Sequence, residues 1–239
     1  MIYRYLAVLS IIGSLAACGS AQDSSSEPAL ELQRQLRVQS QAFDGLSVEQ
    51  IRADASAGHL GEALFGAYCA SCHGMDARGK QGVTDLVAGV FNHGADEDAV
   101  RSTITDGRQG AMPAMGGQYG EMDLGQLVAY VQSLSSDEPL SRFAERGEEL
   151  FAADCAVCHG TGGVGLSELG APSLADDYWL HGDSMMAIRL VVTRGVQARS
   201  PPYLERLTAT EIELLTAFVM ALGDGSGLSD KPLKPPSGI

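Results

Sequence analysis

One six-residue motif occurs twice, differing only at its third position: Cys69-Ala70-Ser71-Cys72-His73-Gly74 and Cys155-Ala156-Val157-Cys158-His159-Gly160, 86 residues apart. The match extends backwards at that offset, pairing Gly61 with Gly147, Leu64 with Leu150 and Phe65 with Phe151. Beyond the motif the offset becomes 88 and then holds, through Gly82 and Gly170, His93-Gly94 and His181-Gly182, Gly107 and Gly195, Pro113 and Pro201, and Ala129 and Ala217. A single two-residue insertion therefore aligns the two copies, which is the mark of a tandem duplication of one small unit. The chain is an array of two such units, and whatever one motif does the other is built to do.

Each copy reads as helical. A short helix carrying Leu64, Phe65 and Tyr68 leads into the first motif, and Leu150 and Phe151 lead into the second. A Gly-rich loop follows each motif, then a middle helix at about 96–104 and 184–192. The closing helices have apolar positions at Leu124, Leu127, Val128 and Val131, and at Ile212, Leu215, Phe218, Val219 and Leu222. Thr208 with Glu211 has the spacing of a capping box. Tyr130 and Phe218 are expected to pack across the first helix of their own copy, near Phe65 and Phe151 respectively.

Cys-x-x-Cys-His is the attachment signature of c-type haem. Two thiols one helical turn apart can form thioethers to the two vinyl groups of one porphyrin, and the next residue, His73 or His159, is then placed as an axial ligand of the iron. A thioredoxin-type pair would need a βαβ setting, which this helical chain lacks. Zinc would have to recruit both motifs across long Gly-rich loops. The reading is therefore two covalently bound haem c groups, held by Cys69 and Cys72 and by Cys155 and Cys158. With aromatic residues at only 6% of the chain, a large bound cofactor also supplies apolar filling for small cores.

The fifth cysteine has a separate explanation. Arg4 precedes an apolar run that ends in Leu15-Ala16-Ala17-Cys18, too short for a permanent span and suited to an export signal. Leu-Ala-Ala-Cys resembles the lipobox of bacterial lipoproteins, which implies cleavage after residue 17 and acylation of Cys18. The expected organisation is a signal peptide at 1–17, a flexible lipid-anchored linker at 18–45, a first domain at 46–137, a second at 138–223, and a disordered tail at 224–239 carrying Pro232, Pro235 and Pro236. The body would lie on the periplasmic side of a bacterial membrane. Gly19, where an Asp would argue for inner-membrane retention, leaves both membranes open. Sixteen Lys and Arg against thirty Asp and Glu give a net charge of −14, which argues against a nucleic-acid partner and for redox partners with basic docking patches.

Three stretches carry a more specific resemblance: residues 68–79, residues 107–113, and Pro172-Ser173-Leu174 through Trp179-Leu180-His181-Gly182. With residues 46–51, they are similar to the diheme cytochrome c subunit of cbb3-type haem–copper oxidases, over roughly residues 40–222. The resemblance implies an all-α fold of two tandem class I cytochrome c domains. It implies a non-catalytic electron carrier that passes single electrons from a periplasmic donor toward a membrane-bound terminal oxidase. It also implies that Met112, in a Met-Pro loop like the distal ligand loop of class I cytochromes, is the second axial ligand of the first haem, with Met115 as its rival. The offset places Ser200 opposite Met112, and a hydroxyl is a poor ligand for haem iron. The second haem is then five-coordinate or takes Met185, Met186, His181 or Met220. An open second iron would suit a haem enzyme or a gas or redox sensor, the alternative function. The family's usual transmembrane anchor is replaced here by the lipobox. A Pro carbonyl that accepts from the axial His is matched by Pro172, whereas the first copy has Thr84.

Overall fold

The computed structural model describes residues 27–226. The export signal at 1–17, the acylation site Cys18, the start of the linker and most of the tail lie outside the described residues. The linker expected to reach residue 45 is already helical from residue 27. Helix α1, Glu27–Ser40, buries Leu36 and packs on the first helix of the first copy. Leu32 and Leu36, one turn apart among charged residues, give it a narrow apolar stripe, enough for docking on a preformed surface.

Ten helices and one β-ribbon make up the described chain. After α1 come α2, Val48–Arg52, α3, Ala55–Tyr68, and the single turn α4, Ala70–His73. The middle helix of the first copy is α5, Glu97–Asp106, and its closing helix is α6, Glu121–Ser133, with strand β1, Arg108–Met112, between them. The second copy repeats the series as α7, Glu145–Asp154, α8, Ala156–His159, α9, Met185–Arg194, strand β2, Val196–Ser200, and α10, Ala209–Gly223. Side chains open many of these helices. Asp54 accepts from Ser56 and Ala57 amides at α3, Asp96 and Ser184 cap α5 and α9, and Thr208 and Glu211 form the expected capping box at α10.

The two copies exchange their closing helices. Helix α10, from the second copy, packs on α2, α3 and α5 of the first, whereas α6, from the first copy, packs on α7 and α9 of the second. Two separate buried clusters result. One joins Leu60, Leu64, Phe65 and Val100 with Leu214, Leu215, Phe218 and Leu222. The other joins Leu124, Leu127, Val128 and Val131 with Leu150, Phe151, Ile188 and Val192. The expected in-copy packing is thus corrected: Phe218 meets Phe65 with ring centroids 5.6 Å apart, and Tyr130 meets Phe151 at 5.4 Å. Because the copies are alike, the same apolar face fits either partner, and the crossover selects the distant one.

The crossover is the β-ribbon. Strands β1 and β2 pair antiparallel with Gly110 opposite Ala198, Arg108 opposite Ser200, and Met112 opposite Val196. At the offset of 88, exchanging the copies maps this register onto itself, so the ribbon has a local two-fold. The chain enters each strand through a glycine with positive φ, Gly107 at 70° and Gly195 at 69°. A Cβ on Gly107 would stand 2.4 Å from the Ser200 carbonyl oxygen, and one on Gly195 the same distance from that of Met112. Only glycine allows both the turn and that approach. The ribbon is the departure from an all-helical reading.

Gly61 and Gly147, paired in sequence, prove to be the points where first and closing helices cross. A Cβ on Gly147 would lie 2.1 Å from the Gln126 carbonyl oxygen and 2.7 Å from Tyr130 Cβ. Backbone cannot retreat as a side-chain tip can, so Gly147→Ala is expected to destabilise the second cluster by about 1–3 kcal/mol. A thermal melt of the holoprotein would show this as a lower transition; an unchanged melt would mean that α6 and α7 can separate without loss.

Candidate functional site

Each motif is the continuation of a first helix by one tight turn. At the end of α3, the Cys69 amide bonds to Phe65 O at 2.8 Å, and the Cys72 and His73 amides both return to Cys69 O. At the end of α7, Cys155, Cys158 and His159 repeat these bonds with the same partners one copy on. The turn places each pair of thiols on one face, three residues apart, with the His directly after. Gly74 and Gly160, with φ of 78° and 75°, end it and send the chain into the loop. All four thiols are free, Cys69 and Cys155 half-buried and Cys72 and Cys158 exposed.

The histidines are held alike. His73 Nδ1 lies 3.1 Å from the Thr84 carbonyl oxygen, and His159 Nδ1 3.0 Å from that of Pro172. A carbonyl can only accept, so Nδ1 must carry the proton in both rings. That fixes the tautomer and leaves Nε2 with its lone pair free for a metal. The residue at 84 thus need not be proline, because the backbone does the accepting. Burial lowers the His73 pKa below the usual imidazole value, against the opposing pull of the Thr84 bond, which keeps the ring neutral and able to ligate. Burial also pushes the Cys69 thiol up to about 12 and that of Cys155 to about 11. Thiols so held are poor thiolate nucleophiles and poor zinc ligands. Among the described residues no group of three or more His, Cys, Asp or Glu side chains is gathered for a metal ion.

Both buried clusters end in a half-exposed apolar margin at the motif. Cys69, Ala70, Met75, Val87, Phe91, Ile104, Tyr203 and Met220 border the first. Cys155, Ala156, Leu174, Trp179, Tyr119 and Met112 border the second. Paired thiols, a neutral imidazole with a free Nε2 and an apolar wall beside them are the donor set and lining that a covalent haem needs.

The other expected ligands are scattered. Met112 packs on the second cluster rather than on that of its own copy, and Met115, 9% exposed, is part of that cluster. Met220 packs on the first cluster. Met185 and Met186 open α9 at 47% and 73% exposure. His181 stands beside the loop after the first motif, where a Cβ on Gly82 would be 3.5 Å from its ring. Its counterpart His93 lies symmetrically against Gly170 of the second loop, and the two loops are joined further by the Gly82 amide on Leu180 O and by Tyr178 OH, which accepts from the Asp85 amide. Tyr203, which with Arg199 is only near the second site in sequence and gives no convincing distal acid–base pair, donates its hydroxyl to the Tyr68 carbonyl at 2.9 Å, and its ring lies under the Arg206 guanidinium. At the offset of 88 it pairs with Met115.

The family model for cytochrome C oxidase, cbb3-type, subunit III matches twice, at residues 56–131 and 142–219. The chain is 36% identical over 185 residues to the cbb3-type cytochrome c oxidase subunit CcoP of Rubrivivax gelatinosus, covering 77% of this chain and 60% of that protein. It is 36% identical over 174 residues to the subunit FixP of Azorhizobium caulinodans, covering 69% and 59%, and 31% identical over 178 residues to the subunit CcoP of Cereibacter sphaeroides, covering 70% and 61%. The chain therefore spans about three fifths of the length of these relatives. No helix among the described residues is long and apolar enough to cross a membrane. Each family match contains one Cys-x-x-Cys-His turn, so the chain carries two c-type haems. With both halves matched and both motifs intact, the chain belongs to the family of subunit III of cbb3-type cytochrome c oxidases.

Proposed function

We propose that this protein is a lipid-anchored diheme cytochrome c on the periplasmic side of a bacterial membrane, passing single electrons between redox partners and toward a membrane-bound terminal oxidase. It would act as a carrier or a non-catalytic subunit, tethered through Cys18. The observation that carries this reading is the duplicated proximal arrangement, in which each motif histidine is locked by a backbone carbonyl with Nε2 free. A bound haem supplies a one-electron couple whose potential responds to ligand, burial and hydrogen bonding. The chain's own contributions are separable. Cys69 and Cys72, and Cys155 and Cys158, would anchor the two groups. Thr84 O and Pro172 O hold the imidazoles and raise their basicity. The half-buried margins exclude water from one side of each site, and the ribbon and exchanged helices fix the two motifs relative to each other.

The net charge of −14 favours docking on a basic patch, with association that weakens in salt. Reduced holoprotein mixed in air with membranes containing a cbb3-type oxidase is expected to be reoxidised, with a rate that falls several-fold as ionic strength rises from about 0.01 to about 0.15 M. Reoxidation no faster than in membranes lacking the oxidase would reject the role, and a salt-independent rate would reject electrostatic docking.

A further inference from the structure

We propose that Met112 is the distal ligand of the haem on the second motif, the one held by Cys155, Cys158 and His159, and that the first haem is offered Ser200 at the corresponding place. The inference rests on the diheme reading above and reverses the pairing that chain order suggests, in which the second haem is the one without a thioether.

The chain path carries the argument. Strand β1 leaves the first copy and delivers the segment through α6 to the second cluster. The Met112 carbonyl sits against Gly195 at the end of α9, and the Met115 amide bonds to Val192 O of the same helix at 2.9 Å. Further on, Tyr119 OH donates to Asp154 at 2.8 Å, immediately before Cys155. The segment is thus pinned on both sides to elements of the second motif. Strand β2 does the reverse. The Ser200 carbonyl sits against Gly107 at the end of α5, the Tyr203 amide bonds to Ile104 O, and Tyr203 OH donates to Tyr68, immediately before Cys69.

The thioethers sort accordingly. Met185 and Met186 are exposed at the start of α9, and Met75 and Met220 border the first cluster. Only Met112 and Met115, of the methionines the sequence raised as ligands, pack at the second cluster. Met115 is committed to the interior at 9% exposure, whereas Met112 lies on the half-buried margin with Cys155, Ala156 and Trp179. A sulfur on that margin, on a segment anchored beside the motif, is placed to use its lone pair on iron; no atom or electron leaves in forming that bond.

The test uses ferric holoprotein with both haems, labelled with nitrogen-15. Met112→Leu keeps the shape and removes the donor. The expected result is conversion of one iron to high spin with loss of its thioether charge-transfer band, and large hyperfine shifts at the amides of residues 156–160 with those of residues 70–74 unmoved. Shifts at residues 70–74 instead, or at neither segment, would overturn the proposal. Met112→His is the second variant: an imidazole in the same place should give a bis-histidine low-spin signature at residues 156–160, and its appearance at 70–74 would overturn the assignment independently. Met115→Leu should leave ligation unchanged, and loss of the thioether band there would transfer the role away from Met112. Failure of the wild-type protein to hold pigment through acid-acetone extraction is a different result, and would sink the diheme reading itself.

Discussion

A chain cut between Ser136 and Pro139 is expected to stay a single particle. That segment is exposed and joins α6 to α7, so an inserted protease site there should be cleaved without disturbing either cluster. In a simple tandem of two independent domains the products would drift apart as half-size species. Here the piece ending near residue 137 holds α2, α3 and α5, the seat of α10, and also holds α6. The other piece holds α7 and α9, the seat of α6, and also holds α10. Separation would expose Leu214, Leu215, Phe218 and Leu222 on one side and Leu124, Leu127 and Val128 on the other, all of them buried. At roughly 1.5–3 kcal/mol for each of these seven side chains, the total is on the order of 10 kcal/mol after discounting for a compact unfolded state. The cleaved protein should elute from a sizing column at the intact volume and resolve into two bands only in denaturant. Its melting temperature should become concentration-dependent, because unfolding now releases two chains. Elution of two half-size cytochromes would mean that the closing helices fold back on their own copies.

The same exchange marks where sequence reasoning ran out. The motifs, the offset, the capping box at Thr208 and the carbonyl of Pro172 were all legible, because each is a local pattern with a local cause. The middle helices, expected at about 96–104 and 184–192, lie at Glu97–Asp106 and Met185–Arg194. Which copy a closing helix packs on is not local. Phe218 facing Phe65 and Phe218 facing Phe151 bury the same ring against the same kind of partner, and Gly61 and Gly147 open equal gaps for it. A repeat makes the alternatives nearly equivalent, and the choice falls to the ribbon between the helices. That ribbon was invisible too: Arg108-Gln109-Gly110-Ala111-Met112 has no apolar alternation, and its extended form comes from pairing with β2, a tertiary cause. Helix α1 was lost to composition, since two leucines one turn apart among charges give little signal until the surface that receives them is known. Met112 shows the cost for function. Its residue type and its Met-Pro setting singled it out, but the cluster it borders depends on the crossover.

Replacing Cys155 and Cys158 together with alanine is expected to reduce covalent haem from two per chain to one and to abolish the cooperative melting of the second cluster. The thiols cap a margin that is apolar but only half covered, formed by Ala156, Leu174, Trp179 and Met112. Without a covalently held porphyrin that wall faces water, and a core supplied by few aromatic side chains has nothing else to cover it. The proximal bond from His159 to Pro172 O does not depend on the thiols, so a singly substituted variant, Cys158→Ala, should retain a haem through the half-buried Cys155 with a shifted spectrum. The first cluster has its own helices α2, α3 and α5 together with α10, and its haem should survive the double substitution. The converse pair, Cys69→Ala with Cys72→Ala, should leave the second haem in place, and with it the charge-transfer band that Met112 is expected to give. Extractable haem, mass spectrometry of the attached group and calorimetry together read the outcome. Loss of both haems from either double variant would show that the exchanged helices couple the two sites too tightly for one to load without the other, whereas retention of both would remove these cysteines from the attachment chemistry.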